Sequence, residues 1–569
     1  MKPIDLNRKP TEKRIPLSEY PRMQFRRDSY FCLNGTWELE IDTKEEIPLA
    51  FTKSIVVPFP VESLLSGVHR DVKADEILYY RKSFRLEKDF CKDIVVLHLD
   101  GVDQFCEVYL NRVRIAAHEG GYLPFEVEIQ DYLQEENELI VKAKDPLDKR
   151  YPYGKQSEKS HGMWYTKTSG IWKSVWIESY PKAHFSAMKI DVSLKSVSLA
   201  LSTDIVEKRI RIQTPEGVIE REFNENRIEI SLSSPRLWSP EDPYLYAFEL
   251  IGGEDRIQSY FALRTMEIKT IHQIPRILLN GKPYFFHGLL DQGYFSDGLY
   301  CPESYQKYED DILALKRLGF NTLRKHIKIE PLYFYYLCDK LGMIVFQDFV
   351  NNGKYRFFQE TALPTLGLIR NRHYGRRVSP FVRDRFVRQG EETMRLLHNS
   401  PSVCYYTIFN EGWGQFDADR MYAHFKALDP SRIIDATSGW FQGTMSDVDS
   451  RHIYFKRIRI RKRAKKPFVL SEFGGYSYPV EGHCFRPEKS FGYRQFHDAE
   501  TYRRALKELY LNQILPQIGK GLCGCIYTQV SDVEEETNGL FTFDRQAIKI
   551  DEETLKAFSE KIALYPLIV

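Results

Sequence analysis

Over the first half of the chain, apolar and polar residues alternate in short runs. Thr36-Trp37-Glu38-Leu39-Glu40-Ile41, Ile94-Val95-Val96-Leu97-His98-Leu99, Cys106-Glu107-Val108-Tyr109-Leu110 and Glu138-Leu139-Ile140-Val141-Lys142-Ala143 read as strands separated by turn residues, with no helical period between them. Strands this frequent predict antiparallel β-sandwiches. Lys173-Ser174-Val175-Trp176-Ile177-Glu178 reads as the last strand of a first sandwich over residues 1–181. A second set over residues 182–267 contains Arg209-Ile210-Arg211-Ile212, Arg227-Ile228-Glu229-Ile230-Ser231-Leu232 and Leu245-Tyr246-Ala247-Phe248-Glu249-Leu250, and has the length of an immunoglobulin-like module.

From residue 268 to 569 the period changes and strands alternate with helices. Tyr284-Phe285-Phe286-His287-Gly288, Asn321-Thr322-Leu323-Arg324, Met343 to Asp348, Val403 to Glu411, Arg432 to Ala436, His452-Ile453-Tyr454, Phe468 to Glu472 and Leu522 to Thr528 are the predicted strands. Helices are predicted near 305–318, 332–341, 381–398, 417–428, 498–515 and 551–563. Eight such strands in roughly 300 residues predict a C-terminal (β/α)8 TIM barrel. The expected architecture is thus multidomain, two β-sandwiches followed by a barrel, which suits a chain too long for one hydrophobic core.

Composition narrows the functional classes. A formal net charge of only +2 gives no electrostatic footprint for nucleic acid or an anionic membrane. The basic run from Lys456 to Lys466 reads as a solvated face between two barrel strands. No signal-peptide-like or membrane-spanning run is seen, so a cytoplasmic location is expected. Nine cysteines, an odd number scattered through strands and helices, read as reduced buried thiols, including Cys523 and Cys525. No cofactor motif or metal-ligand spacing stands out.

The candidate chemistry lies in two carboxylates. Glu411 ends the fourth barrel strand and Glu472 the seventh, both on the face where barrel active sites lie. A pair of carboxyl groups facing each other across a sugar ring is the equipment of a glycosidase, one group donating a proton and the other attacking or activating water. A separation of about 5 Å implies a covalent intermediate and retention; roughly 6.5–9.5 Å leaves room for water and implies inversion. Asn410, directly before Glu411, is placed to bond a sugar 2-hydroxyl.

These motifs resemble those of a known family. Phe409-Asn410-Glu411-Gly412-Trp413-Gly414 and Ser471-Glu472-Phe473-Gly474-Gly475 are similar to the acid/base and nucleophile motifs of glycoside hydrolase family 2, which contains β-galactosidases, β-glucuronidases and β-mannosidases. Val57-Pro58-Phe59-Pro60-Val61-Glu62-Ser63 and Thr168-Ser169-Gly170-Ile171-Trp172 resemble its N-terminal sugar-binding jelly roll. Phe261-Ala262-Leu263-Arg264 resembles the end of its immunoglobulin-like domain, and Asn280-Gly281-Lys282-Pro283 the start of its barrel. The resemblance implies Glu411 as acid/base and Glu472 as nucleophile. It implies Arg324 and His326 at the end of strand two, the arginine orienting the nucleophile, and Tyr454 as a hydroxyl donor to Glu472. Asp291 and Asp348 become candidate acceptors for sugar hydroxyls, and Trp164, Tyr165, Trp413 and Trp440 candidate pocket walls. Gln529 stands where many relatives place a tryptophan platform. The resemblance also implies jelly-roll surfaces that take part in dimers, so a homo-oligomer is expected among the assemblies.

Departures from the family pattern bear on the sugar. The stretch around Asn538-Gly539-Leu540 lacks the lysine of the Asn-x-Lys motif by which family glucuronidases grip a uronate. Asp348 is followed by Phe349-Val350-Asn351-Asn352-Gly353, without the Glu and His magnesium ligands of large β-galactosidases. The insertion over 350–380 carries Lys354, Arg356, Arg370, Arg372, Arg376 and Arg377, which keeps a uronic acid in view. The acidic run Glu534-Glu535-Glu536 reads as solvated or paired with loop arginines. The expectation is a retaining exo-β-glycosidase acting on a small glycoside or oligosaccharide, galactosidase-like, with a β-glucuronidase or β-galacturonidase as the alternative. A catalytically inactive carbohydrate-binding protein is the alternative of another class.

Overall fold

The computed structural model describes residues 15–366, 368, 378–460 and 465–564. Of the basic positions noted above, Arg370, Arg372, Arg376 and Arg377 lie outside the described residues, as do residues 461–464. Among the described residues no helix is long and apolar enough to cross a membrane.

The N-terminal sandwich packs a six-stranded antiparallel sheet against a four-stranded one. In the larger sheet Gly35–Asp42 lies between Lys53–Val57 and Ile77–Phe84, followed by Asn137–Lys144, Phe105–Leu110 and Val113–Glu119. Alternation dictates the packing: Trp37 and Leu39 are buried while Thr36 and Glu38 face solvent. They meet Val95, Leu97 and Ile177 from the smaller sheet in one core. The second module is a three-stranded and a four-stranded sheet with its own core around Phe185, Ile210, Ile212, Phe248 and Leu250.

The barrel strands run parallel in the order 5-4-3-2-1-8-7-6, where strand one is Phe286–Asp291, two Thr322–Lys325, three Ile344–Asp348, four Val403–Asn410, five Ile433–Ser438, six Asp449–Ile453, seven Phe468–Gly474 and eight Leu522–Thr528. The ladder is continuous except between strands five and six, so the barrel is nearly closed. Local signals set the helix ends. Ser379 caps the long helix Pro380–Leu397 by accepting from the Val382 N–H, and proline opens it at a position where no amide donor is needed. Its buried face, Val382, Phe386, Gly390, Thr393 and Leu397, recurs at helical spacing.

Two contacts fix which end of the barrel is open. At the base, fully buried Trp238 from the second module packs with Phe286, Leu290, Ile344 and Phe346 and donates its indole N–H to the Asp339 carbonyl at 2.8 Å. Truncating such a tryptophan to alanine costs about 3–5 kcal/mol. At the opposite end, Tyr122, Tyr153, Tyr165 and Trp172 of the sandwich share a core with Tyr294, Tyr300, Ile327, Val350 and Trp413 from the loops after barrel strands one to four. The jelly roll therefore walls the mouth where the two glutamates emerge.

Candidate active site

Glu411 directly follows strand four in a left-handed conformation, φ 55°, and its N–H is held by the Ser438 carbonyl of strand five at 2.9 Å. A non-glycine residue held there against steric cost is a feature of positioned functional side chains. Glu472 comes from strand seven. Both are buried, 5% and 4% exposed. His452 of strand six stands between them: Nδ1 lies 2.7 Å from one Glu411 oxygen and Nε2 3.4 Å from a Glu472 oxygen. One oxygen of each glutamate and a His452 nitrogen all lie within 4.8 Å of one another.

Arg324, wholly buried on strand two, organises the floor. It donates to Asp348 through Nε at 3.0 Å, to Glu472 through Nη1 at 2.9 Å and to Asn410 through Nη2 at 2.9 Å. Burial alone would weaken its proton, but Asp348 and Glu472 raise its affinity further, so the guanidinium stays charged. Burial by itself would push the Glu472 carboxyl up; His452, Arg324, His326 and the Tyr454 hydroxyl outweigh it and hold the group at about 2. Tyr454 donates its hydroxyl to the second Glu472 oxygen, and its own pKa lies well above the usual phenol, through burial first and the charge of Glu472 second. Glu472 is thus an ionised carboxylate held by one guanidinium and one phenol. Three ligand-type atoms converge here, but the Arg324 cation donating to the same Glu472 oxygen opposes a metal ion at that point.

The structure brings together most of the residues singled out in the sequence. Asp348 binds both Arg324 and the His326 Nδ1, the latter at 2.8 Å; burial draws the His326 pKa below that of an ordinary imidazole, against the opposing pull of Asp348. Trp164, Trp413 and Tyr355 meet edge to face, with centroids 5.1 Å apart for Trp164–Trp413 and 5.1 Å for Trp164–Tyr355. A cavity of about 470 Å³ opens beside them, lined also by Tyr153, Met163 and Phe491. Trp440 sets its ring edge-on to His452 at 5.6 Å. Tyr165 reaches the mouth from the sandwich and donates to Glu536.

Two residues stand elsewhere than expected. Asp291 shares its register with Lys325 and turns to the helix layer, where it ion-pairs with Lys325 at 2.5 Å; its neighbour Leu290 is the one facing the barrel axis. Its carboxylate is therefore spent on that lysine rather than offered to a sugar. Gln529 is fully buried, its amide accepting from Gln292 at 2.9 Å and donating to Asn538 at 2.8 Å, so it orders the loop after strand eight. The acidic run is paired rather than solvated, Glu535 with a loop arginine as expected. Glu534 accepts from the Thr166 N–H, Glu535 pairs with Arg486 at 2.6 Å, and Glu536 accepts from Tyr165 and Asn538.

Sequence reasoning passed over His452 and Tyr493. A lone histidine in a short, weakly patterned strand carries no signal of its role, and Tyr493, stacked on Tyr454 with ring centroids 3.5 Å apart, lies in a loop.

Comparison with known proteins agrees with this architecture. The family description "Glycosyl hydrolases family 2, TIM barrel domain" matches residues 270–562, "Glycosyl hydrolases family 2" residues 173–264, and "Glycosyl hydrolase 2 galactose-binding domain-like" residues 68–183. A β-galactosidase of Thermoanaerobacter pseudethanolicus is 27% identical over 301 residues, covering 48% of this chain and 39% of that protein. The β-glucuronidase of Rattus norvegicus is 23% identical over 560 residues, 84% of this chain and 81% of that protein. The chain spans between 37% and 50% of the length of four longer relatives, two β-galactosidases, the Thermoanaerobacter one among them, and two proteins named putative β-glucuronidases. Among solved structures, the β-glucuronidase of Dictyoglomus thermophilum superposes with a TM-score of 0.75 at 18% identity, covering 96% of this chain and 98% of that one. The Ruminococcus gnavus β-glucuronidase in complex with D-glucuronic acid gives 0.73 at 18% identity, covering 95% and 100%. With a barrel match that alone spans more than half its length, the chain belongs to glycoside hydrolase family 2.

Proposed function

We propose that the protein is a retaining exo-β-glycosidase that removes a terminal β-linked sugar from a small glycoside or oligosaccharide. The observation that carries this reading is the short gap between Glu411 and Glu472, with oxygens within 4.8 Å. Retaining glycosidases set their carboxyl groups about 5–5.5 Å apart, too close to seat the water that inversion needs. In the first step a Glu472 oxygen attacks the anomeric carbon while Glu411 gives its proton to the departing glycosidic oxygen. In the second, Glu411 takes a proton from water, whose oxygen attacks the same carbon and frees Glu472. Arg324 keeps the nucleophile ionised, and Tyr454 holds its other oxygen. The aromatic cluster of Trp164, Tyr355 and Trp413 at the mouth supports action at a chain end.

The first reading of the sugar is a β-galactoside, the reading the sequence supports. A β-glucuronide or β-galacturonide is the second, supported by the β-glucuronidases among the relatives. Hydrolysis of p-nitrophenyl β-galactoside, glucuronide, galacturonide, mannoside and glucoside by the protein and by Glu472→Gln tests the proposal. Expected is at least one good substrate, the rate falling by ~10⁴-fold or more in the variant. Turnover that survives Glu472→Gln, or product released with inverted configuration, sinks it.

A further inference from the structure

His452 reaches the space between the two glutamates through two local features. Asp449–Ile453 alternates, which buries Ser450 and His452 and leaves Asp449, Arg451 and Ile453 partly exposed. Strand seven carries one extra residue beside it: Arg451 pairs with Leu470 but His452 with Glu472, so Ser471 is passed over. A bulge of this kind re-aims side chains next to active sites. The imidazole side chain so placed is wholly buried.

The two ring nitrogens face different company. Nδ1 meets Glu411 Oε1 at 2.7 Å. Nε2 meets the Ser438 hydroxyl at 2.7 Å and Arg324 Nη1 at 3.3 Å, with a Glu472 oxygen at 3.4 Å. Tyr454, on the same strand, has its ring centroid 6.5 Å away. The backbone after strand five presses on the same contact: Gly439 has φ 105°, and a Cβ there would lie 3.3 Å from both Glu411 Cγ and His452 Nδ1. Glycine tolerates both that backbone angle and that approach. A guanidinium donates and never accepts, so Nε2 facing Arg324 is an acceptor, a role the Ser438 hydroxyl can also serve. The Glu472 oxygen, which would favour a proton on Nε2, is farther off and already accepts from Arg324 Nη1 at 2.9 Å.

We propose that His452 is the positioning residue of the acid/base: its ring proton sits on Nδ1 and is donated to Glu411 Oε1, so the catalytic proton is carried by Oε2. The proposal rests on the two-glutamate glycosidase reading and deepens it. In the first step the Oε2 proton passes to the departing glycosidic oxygen, and the Nδ1–H stays as a hydrogen bond to the new carboxylate. In the second, the attacking water returns a proton to Oε2. His452 keeps its own proton throughout. A charge-assisted bond of this kind favours the carboxylate form. It therefore opposes the like charge of Glu472 on the acid/base and holds the basic limb of the pH–rate profile down. In acid, a second proton on Nε2 makes the ring one of the cations beside Glu472.

The tautomer can be read with no substrate present. Histidine-selective nitrogen-15 labelling and long-range proton–nitrogen NMR give it, the His452 signals being those lost in His452→Asn. Expected near neutral pH is a ring protonated on Nδ1; a proton on Nε2, alone or in addition, overturns the proposal whatever the sugar. Kinetics read the consequence. His452→Phe should lower kcat/KM by roughly 10²-fold on a phenyl glycoside, whose departure needs a proton, and by no more than ~3-fold on the 2,4-dinitrophenyl glycoside of the same sugar. Its basic limb should move up by about one pH unit, and His452→Asn, which keeps an N–H near the Nδ1 position, should restore part of both. Should the phenylalanine variant not fold, His452→Leu takes its place. An equal loss on both glycosides, or an unmoved limb, overturns the proposal and leaves the ring a packing role. Turnover that survives Glu472→Gln sinks the double-displacement reading without touching the tautomer, and a wrong tautomer sinks this inference without touching Glu472.

Discussion

Two buried glutamates, one in the barrel mouth and one in the sandwich, are pushed in opposite directions. Glu472 is 4% exposed and held at about 2; Glu62 is 5% exposed and is raised to about 8. Burial is the largest influence on both and acts upward in both. The difference is the company. Glu472 faces Arg324, His452 and the Tyr454 hydroxyl, whereas Glu62 has the Ser169 N–H at 3.0 Å and the like charge of Asp145. Burial thus creates a neutral acid by default, and a reactive anion exists only where cations have been brought in with it.

The comparison can be broken from either side. The largest effect is expected from Arg324→Gln, which leaves Glu472 and Asp348 buried beside no guanidinium. The rate should fall by roughly 10²–10³-fold, and the acidic limb of kcat/KM should move up by about one to three pH units. A pH–rate profile reads both, and a limb that stays in place would mean that Arg324 is not what keeps Glu472 ionised. Tyr454→Phe removes one hydrogen bond to the carboxylate and should lower kcat by roughly 10–100-fold with little change in KM, measured by steady-state kinetics. Glu62→Gln should leave turnover intact and act on stability alone. Because the folded-state pKa of Glu62 is raised from 4.5 to about 8, the folded protein holds a proton there that the unfolded chain has lost. Its contribution is present below pH 4.5 and is lost as pH rises to about 8, at up to ~1.4 kcal/mol per pH unit. The glutamine variant should flatten that slope in denaturant titrations at pH 5 and pH 8.

What could be read from the sequence follows the range of the interaction. The sandwich strands were legible because alternation is local, and the helix over 381–398 was legible from its amphipathic period for the same reason. The glutamate pair was legible because each ends a strongly apolar strand. Asp291 was not, because facing in a strand turns on a single residue: strand one runs one position further than its apolar run, and Leu290 rather than Asp291 meets the axis. Glu534 and Glu536 look like surface acids in the sequence. They are buried because the sandwich, more than 360 residues earlier, covers them with the Thr166 amide and the Tyr165 hydroxyl. His452 has no local signature, since its meaning comes from three other strands.

The gap in the barrel ladder between strands five and six is bridged by side chains. Ser438 Oγ meets His452 Nε2 at 2.7 Å and Ser471 Oγ at 2.9 Å, and Ser450 Oγ meets Ser471 Oγ at 2.7 Å. The clasp that shuts the barrel therefore holds the imidazole standing between Glu411 and Glu472. Any breathing of that seam disturbs the alignment of the two glutamates before it costs the molecule a single ladder bond, so heat should silence the protein at a temperature where it is still folded.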